Sequence, residues 1–273
     1  MTAVEQDQPV TLRGVFYRVV SARAVEKSEN GYRAVGRRLL TLRREGRIPY
    51  SAITDGTRWI SRPTTHNDLD AMLHDAAASY RRALWRDQPV EVHLFTEKDA
   101  ISGVVLPITS RWDVPLGVLR GYCSETFAYN VAQAIIAAGK PTFVYQLGDH
   151  DPSGLDAWRD FQDKVSGFLG GRSHVVYNEL GHSHLAEVTF DRLAVTESQI
   201  TDLGLPTRPT KRSDTRAAAF RGGSVEVDAI PAPTLRILVE DAITQHIEPR
   251  AWQLTSMVEQ QERDLLAQLA GWK

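Results

Sequence analysis

Three acidic residues stand directly after stretches that read as β-strands. Glu97 follows VEVHLFT (residues 90–96), and Asp149 and Asp151, in LGDHDPSG, follow PTFVYQL (residues 141–147). In an open parallel sheet, ligands collect beyond the carboxyl ends of the strands, so all three acids fall on one rim. The D-x-D spacing lets two carboxylates reach one point from a turn that Pro152 and Gly154 shape. Oxygens converging in this way suit a hard cation. Magnesium is the natural occupant, because it is held by few carboxylates and keeps waters that a phosphate can displace. Taken alone, each acid reads as an ordinary loop carboxylate, and D-x-D is a common spacing. Three of them at strand ends within one α/β unit favour the metal reading.

The elements that must position these acids follow from periodicity. Leu12, Val15, Phe16, Val19 and Val20 predict a helix over 10–24. Tyr32, Val35, Leu39, Leu40 and Leu42 predict a second over 29–44, stopped by Gly46. Residues 48–61, with Trp59 and Ile60, read as a short extended stretch. Arg-rich helices followed by a short hairpin resemble a winged-helix variant of helix-turn-helix. A further helix over 67–85 leads to a boundary at Pro89, giving domains of residues 1–88 and 89–273. In the second domain, strand candidates at 90–96, 116–121, 141–147, 174–180 and 187–194 alternate with helices at 98–106, 124–138 and 153–168. Ser124 is a candidate N-cap and Gly139 a stop. Such alternation predicts an α/β fold, a mostly parallel sheet flanked by helices. Residues 204–223 read as a long mobile loop, basic at Arg208, Lys211, Arg212, Arg216 and Arg221. Residues 225–230 read as extended, and 235–246 and 252–269 as closing helices.

Composition excludes some classes. At 42% hydrophobic and 24% charged residues, the chain reads as an ordinary globular protein. No apolar stretch approaches the roughly 20 residues of a membrane helix, so no membrane association is expected. The start, MTAVEQDQPV, has neither a basic region nor an apolar core, and Cys123 is the only cysteine. A cytoplasmic location is expected, without disulfides or a cysteine-based zinc site. The net charge of −2 hides its distribution: residues 11–50 hold ten Lys/Arg against three Asp/Glu. Arg37, Arg38, Arg43 and Arg44 are candidate DNA contacts, against the alternative of a solvated helix face. Lys98 reads either as a phosphate contact or as solvated. His182 and His184, in GHSH, are weak zinc candidates. His150, between the two aspartates, could touch phosphate, though alternation points it away from the metal position. Trp158, Trp252 and Trp272 read as packing residues.

FTEKDA followed by GDHDPSGLDA resembles the TOPRIM module of topoisomerases, primases and related nucleases. The likeness is to the A subunit of topoisomerase VI and the related meiotic double-strand-break proteins, over roughly residues 10–245. The resemblance implies a winged-helix domain before the TOPRIM domain, with Glu97, Asp149 and Asp151 as ligands of Mg2+. It implies a further acidic position at Glu226 or Asp228. It also implies a nucleophilic tyrosine in the first domain, where TLRGVFYRVV supplies Arg13 and Tyr17. On a helix, i and i+4 share a face. A guanidinium at Arg13 would favour the Tyr17 phenolate and hold a phosphate; the alternative is that Tyr17 packs in a small core beside Phe16. The implied activity is tyrosine-dependent cleavage of double-stranded DNA by a homodimer, with tyrosine and metal drawn from different subunits. Strand passage in the family needs a separate ATPase subunit, and this chain has no Gly-rich ATP motif of its own. Two rivals stand beside this reading. One is a TOPRIM nuclease that hydrolyses DNA with water. The other is a non-catalytic DNA-binding protein.

Overall fold

The computed structural model describes residue 4 and residues 8–53, 63–170, 173–177, 183–209, 220 and 222–271, with 173–177 and 183–186 described by their backbone. The first two apolar periodicities become helices α1 (Leu12–Ser21) and α2 (Glu29–Arg44). Each starts at a hydroxyl cap: Thr11 Oγ1 accepts from Gly14 N–H at 2.8 Å and Ser28 Oγ from Gly31 N–H at 3.1 Å. Helix α1 stops short of residue 24 because Arg23 turns into the left-handed region (φ 57°), and Ala24 N–H then folds back onto Val19 O at 3.1 Å. A 3₁₀ turn (Tyr50–Ala52) follows α2. The stretch expected to form a hairpin falls largely at 54–62, outside the described residues. Helix α3 (Leu69–Ser79) is capped by Asp68 and ends where Tyr80 becomes extended. Tyr80 and Arg82 then bond Glu262 of the last helix.

The alternation after Pro89 becomes a sheet with helices on both faces. Its strands are β1 (Glu91–Thr96), β2 (Leu116–Val118), β3 (Thr142–Leu147), β4 (Ser173–Tyr177) and β5 (Ser183–Ala194). They lie in the order β2-β1-β3-β5-β4. The first four are parallel, and β4 runs antiparallel to β5 at the edge. Side chains alternate between the faces. Phe95 and Val144 point to one face, with Ala132 and Ile135 of α5 (Glu125–Ala138) and Trp158 and Phe161 of α6 (Pro152–Phe168). Leu94 and Tyr145 point to the other, with Val104 of α4 (Asp99–Arg111) and Leu235 and Val239 of α8 (Ala232–Thr244). Phe161 is fully enclosed, and a side chain of that size contributes about 1.5–3 kcal/mol by leaving water. The second cluster continues without a break into Val15, Phe16 and Tyr17 of α1.

Two short elements complete the chain order. Helix α7 (Glu197–Asp202) follows β5, and a 3₁₀ turn (Val227–Ala229) stands where residues 225–230 read as extended. Helix α9 (Pro249–Ala270) closes the chain against α3. Among the described residues no helix is long and apolar enough to cross a membrane.

Candidate active site

Strand β1 is flanked by β2 on one side and β3 on the other, so the chain's path diverges between β1 and β3. The crevice beyond their carboxyl ends is the ligand position of such sheets. Glu97 extends β1 into this crevice. Its N–H donates to Leu147 O (2.9 Å) and its carbonyl accepts from Arg120 N–H (3.0 Å), which fixes the backbone. Its side chain crosses to the end of β3, where Oε2 accepts from Asp149 N–H at 2.9 Å. Asp151 caps α6: its Oδ1 accepts from Gly154 N–H (2.8 Å) and Ser153 Oγ (2.9 Å). The helix N-terminus favours its negative charge. Gly154 permits this closeness. A Cβ there would stand 2.7 Å from Asp149 O, 3.1 Å from Glu97 Oε2 and 3.3 Å from Asp151 Oδ1. The structure therefore brings Glu97, Asp149 and Asp151 to one small region.

The strongest electrostatic feature is Lys98. Its Nζ lies 2.8 Å from Asp149 Oδ1, 3.2 Å from Asp228 Oδ2 and 3.3 Å from Glu226 Oε2. All three carboxylates are buried. Asp149 Oδ1 also accepts from Val227 N–H at 2.9 Å, and Asp228 Oδ1 accepts from Thr11 Oγ1 at 2.8 Å. Glu226 is held from two further sides, by Arg13 on Oε2 and by Arg208 Nη1 on Oε1 at 2.6 Å. Arg192 lies beneath the crevice, donating to Gln146 Oε1 (2.9 Å), Val195 O (3.2 Å) and the Asp149 carbonyl.

These contacts set the charges. Burial pushes the Glu97 carboxyl up, and the neighbouring Asp149 and Asp151 add to the effect. Burial also raises Asp149, against the pull of Lys98. For Glu226 burial acts upward too, but Lys98, Arg13 and Arg208 outweigh it and hold the carboxyl down at about 2. Burial works against the Lys98 ammonium, yet Asp228, Asp149 and Glu226 together raise it above its ordinary value.

For a divalent cation, the donor chemistry fits and the spacing does not. Hard carboxylate oxygens are present, and the bonds just described leave one oxygen each of Glu97, Asp149 and Asp151 uncommitted. Among the described residues, however, no three His, Cys, Asp or Glu side chains close on a common metal position. The cation beside Asp149 is Lys98.

Tyr17 and Arg13 lie along the same network. They line a cleft of about 430 Å³ with Lys27, Tyr32, Arg208 and Glu226. Tyr17 is 5% exposed, and Lys27 Nζ stands 5.2 Å from its ring centroid. Burial, followed by the Glu226 charge, pushes its phenol up to about 12. Arg13 pulls in the opposite direction, as the i,i+4 spacing leads one to expect, and is outweighed. Its guanidinium is engaged by Glu226 and sits 5.6 Å from the Tyr32 ring centroid.

Of the four arginines singled out on α2, Arg37, Arg38 and Arg44 are exposed. Arg43 is half-buried: it donates to Tyr50 O at 3.1 Å and stacks 4.3 Å over the Tyr50 ring. His150 is buried, its backbone paired with Val225 and its ring 5.2 Å from Phe220. Burial, with Arg192 adding to it, lowers its pKa. Trp158 is buried in the sheet core, and Trp252 stands edge-on to Trp85. His182, Trp272 and the side chain of His184 lie outside the described residues. No pattern in the sequence marks Thr11 or Arg192 as site residues. Glu226 and Asp228 stand out in the sequence as acids, but nothing local pairs them with Lys98. The placement of Arg192 beneath the crevice follows from β5 lying next to β3. Comparison of the chain with models of protein families, with characterised proteins and with solved structures returned no match.

Proposed function

We propose that this chain binds double-stranded DNA and cleaves it by transesterification at Tyr17, in the manner of a topoisomerase VI A subunit. One observation carries the reading. A single run of ion pairs, Arg13–Glu226–Lys98–Asp149, joins the tyrosine cleft to the acidic crevice between β1 and β3. In this reading α1 and α2 are the helices of a winged-helix domain, with Arg37, Arg38 and Arg44 facing the DNA backbone.

Arg13 holds the scissile phosphate. The Tyr17 oxygen forms a bond to phosphorus, and the bond from phosphorus to the deoxyribose oxygen breaks. The tyrosine proton passes to water, and the departing oxygen takes up a proton. Glu97, Asp149 and Asp151 are the carboxylates a Mg2+ ion would draw on, and only by closing from the spacing seen here; its chemistry there would be to neutralise charge on phosphate and leaving oxygen. Two copies would make paired nicks, hence the homodimer. Strand passage would require a separate ATPase subunit.

One observation favours the hydrolytic reading instead: Tyr17 is buried and its phenol is pushed up, which opposes its use as a nucleophile. The test is covalent trapping. Supercoiled plasmid is incubated with protein and magnesium, stopped with detergent and analysed before and after protease. A protease-sensitive adduct absent from Tyr17→Phe and Asp149→Ala establishes tyrosine cleavage. Breaks without an adduct that survive Tyr17→Phe but not Asp149→Ala select hydrolysis. A chain that binds duplex DNA and breaks none either lacks a partner subunit or is a binding protein that does not cut.

A further inference from the structure

The segment 204–209 leads into the basic stretch after residue 209, and its course near Tyr17 is fixed. Arg208 N–H donates to Ser224 O (2.9 Å) and Ser224 N–H to Arg208 O (2.8 Å). That bridge lies two residues before Glu226 and aims the Arg208 guanidinium at the Glu226 carboxylate. Lys27, in the α1–α2 connection, donates to Pro206 O at 2.8 Å, two residues before Arg208. Arg208, far from Arg13 in sequence, and Lys27, from the connection after its helix, thus arrive in its cleft, each anchored by its own contact with the 206–208 backbone or Ser224.

The cleft has the chemistry of a phosphate site. Arg13, Lys27 and Arg208 face Glu226, with Glu29 at the rim, so cations exceed anions. Glu226 binds one Nη1 of each arginine. Each guanidinium then keeps four further N–H bonds and is fixed in orientation, the arrangement that recognises a phosphate oxygen pair. Lys27 adds a point charge. Its amine is held lower than usual by burial and by Arg208, so an anion between the two relieves their repulsion. Tyr32, only partly buried, supplies a flat wall against which a sugar or base can lie. The volume, about 430 Å³, is in the range of small-ligand sites.

We propose that this cleft binds a backbone phosphate of a nucleic-acid strand, with Lys27 and Arg208 as phosphate-contacting residues beside Arg13. The inference rests on the DNA reading above and adds two residues that the resemblance does not supply.

Binding of a fluorescent duplex is measured by anisotropy across a salt series. Wild type is compared with Lys27→Gln, Arg208→Gln and the exposed-helix variant Arg37→Gln. One lost phosphate contact lowers the magnitude of the salt slope by about 0.9, roughly eightfold in affinity at about 0.1 M salt. Lys27→Gln and Arg208→Gln are each expected to show that change. If either Gln variant melts early, its slope is set against that of the charge-keeping Lys27→Arg or Arg208→Lys: a wild-type slope in the charge-keeping variant supports the contact, and an equal fall in both overturns it by tracing the loss to the fold. Wild-type slope and affinity in both Gln variants, with Arg37→Gln weakened, overturns the cleft assignment and leaves the DNA reading standing. A wild-type chain that does not bind the duplex overturns both. Covalent adducts are scored separately, so loss of cleavage with binding intact counts against Tyr17 and not against the cleft.

Discussion

Lys98 Nζ lies 2.8 Å from Asp149 Oδ1, and the same ammonium reaches the buried carboxylates of Glu226 and Asp228. The chain thus carries its own cation at the acidic rim where the sequence points to magnesium. Removing one partner of a buried ion pair leaves uncompensated charge and costs about 3–5 kcal/mol. Lys98→Met is therefore expected to lower the melting temperature sharply at neutral pH in the absence of divalent ions. Millimolar magnesium is expected to restore part of the loss in this variant and to raise the melting temperature of wild type by less, because Lys98 competes for Asp149. A Lys98→Met melt that ignores magnesium would show that these carboxylates take protons instead of a metal.

Tyr17 provides a second measurement. Burial and the Glu226 charge hold its phenol at about 12, against about 10 for a free tyrosine. The folded state therefore prefers the neutral phenol. Its contribution is complete below about pH 10 and is lost as pH rises towards 12, by up to about 2–3 kcal/mol. The difference in phenolate absorbance between wild type and Tyr17→Phe should show one tyrosine ionising near 12. An ionisation near 10 would mean that the ring is solvated and the cleft more open than the structure has it.

How much of this was legible in the sequence depended on range. Strands at 90–96 and 141–147 could be read because a parallel strand buried on both faces is a short, mainly apolar run, whereas 187–194 alternates exposed and covered residues with the period of a half-covered strand. Helix α5 begins and ends where Ser124 and Gly139 mark it: Ser124 Oγ accepts from Phe127 N–H at 3.2 Å, and Gly139 takes φ 62°. Helix α4 runs to Arg111 beyond the expected residue 106, through Pro107. Pro107 is exposed, so the carbonyl it leaves unpaired can face water. The acids at strand ends were visible because their neighbours in sequence place them. Lys98 reads as ambiguous from sequence because its partners, Glu226 and Asp228, come from 128 and 130 residues away. No local pattern encodes that meeting.

Glu226 tests the network from its centre. Its carboxyl is held at about 2 by Lys98, Arg13 and Arg208 acting against burial, below the ordinary value near 4.3. A depressed carboxyl stabilises the fold above its unfolded pKa, and the benefit is lost as pH falls from about 4.5 towards 2. Glu226→Gln should remove that dependence, flattening the acid limb of the stability curve by roughly 2 kcal/mol once screening at the cleft mouth is allowed for. Because Glu226 also raises Tyr17, the same variant should bring the tyrosine ionisation below 12. Both shifts are expected together. A flattened acid limb with an unmoved tyrosine would separate Tyr17 from the ion-pair run.

Gly154 tests the crevice itself. The glycine sits at the third position of α6, where a left-handed backbone is not required, so only space decides the outcome. An added methyl would stand 2.7 Å from the Asp149 carbonyl, a backbone atom that cannot swing away, and 3.1 Å from Glu97 Oε2. Overpacking of this kind costs about 1–3 kcal/mol. In a helix interior free of contacts, the same Gly→Ala change would stabilise by about 0.5–1 kcal/mol, so the sign of the effect is diagnostic. Gly154→Ala is expected to lower stability in denaturant titration and to abolish magnesium-dependent cleavage, since Glu97 and Asp151 must part to make room. A stabilised Gly154→Ala that still cleaves DNA would mean that the two carboxylates do not share this pocket during the reaction.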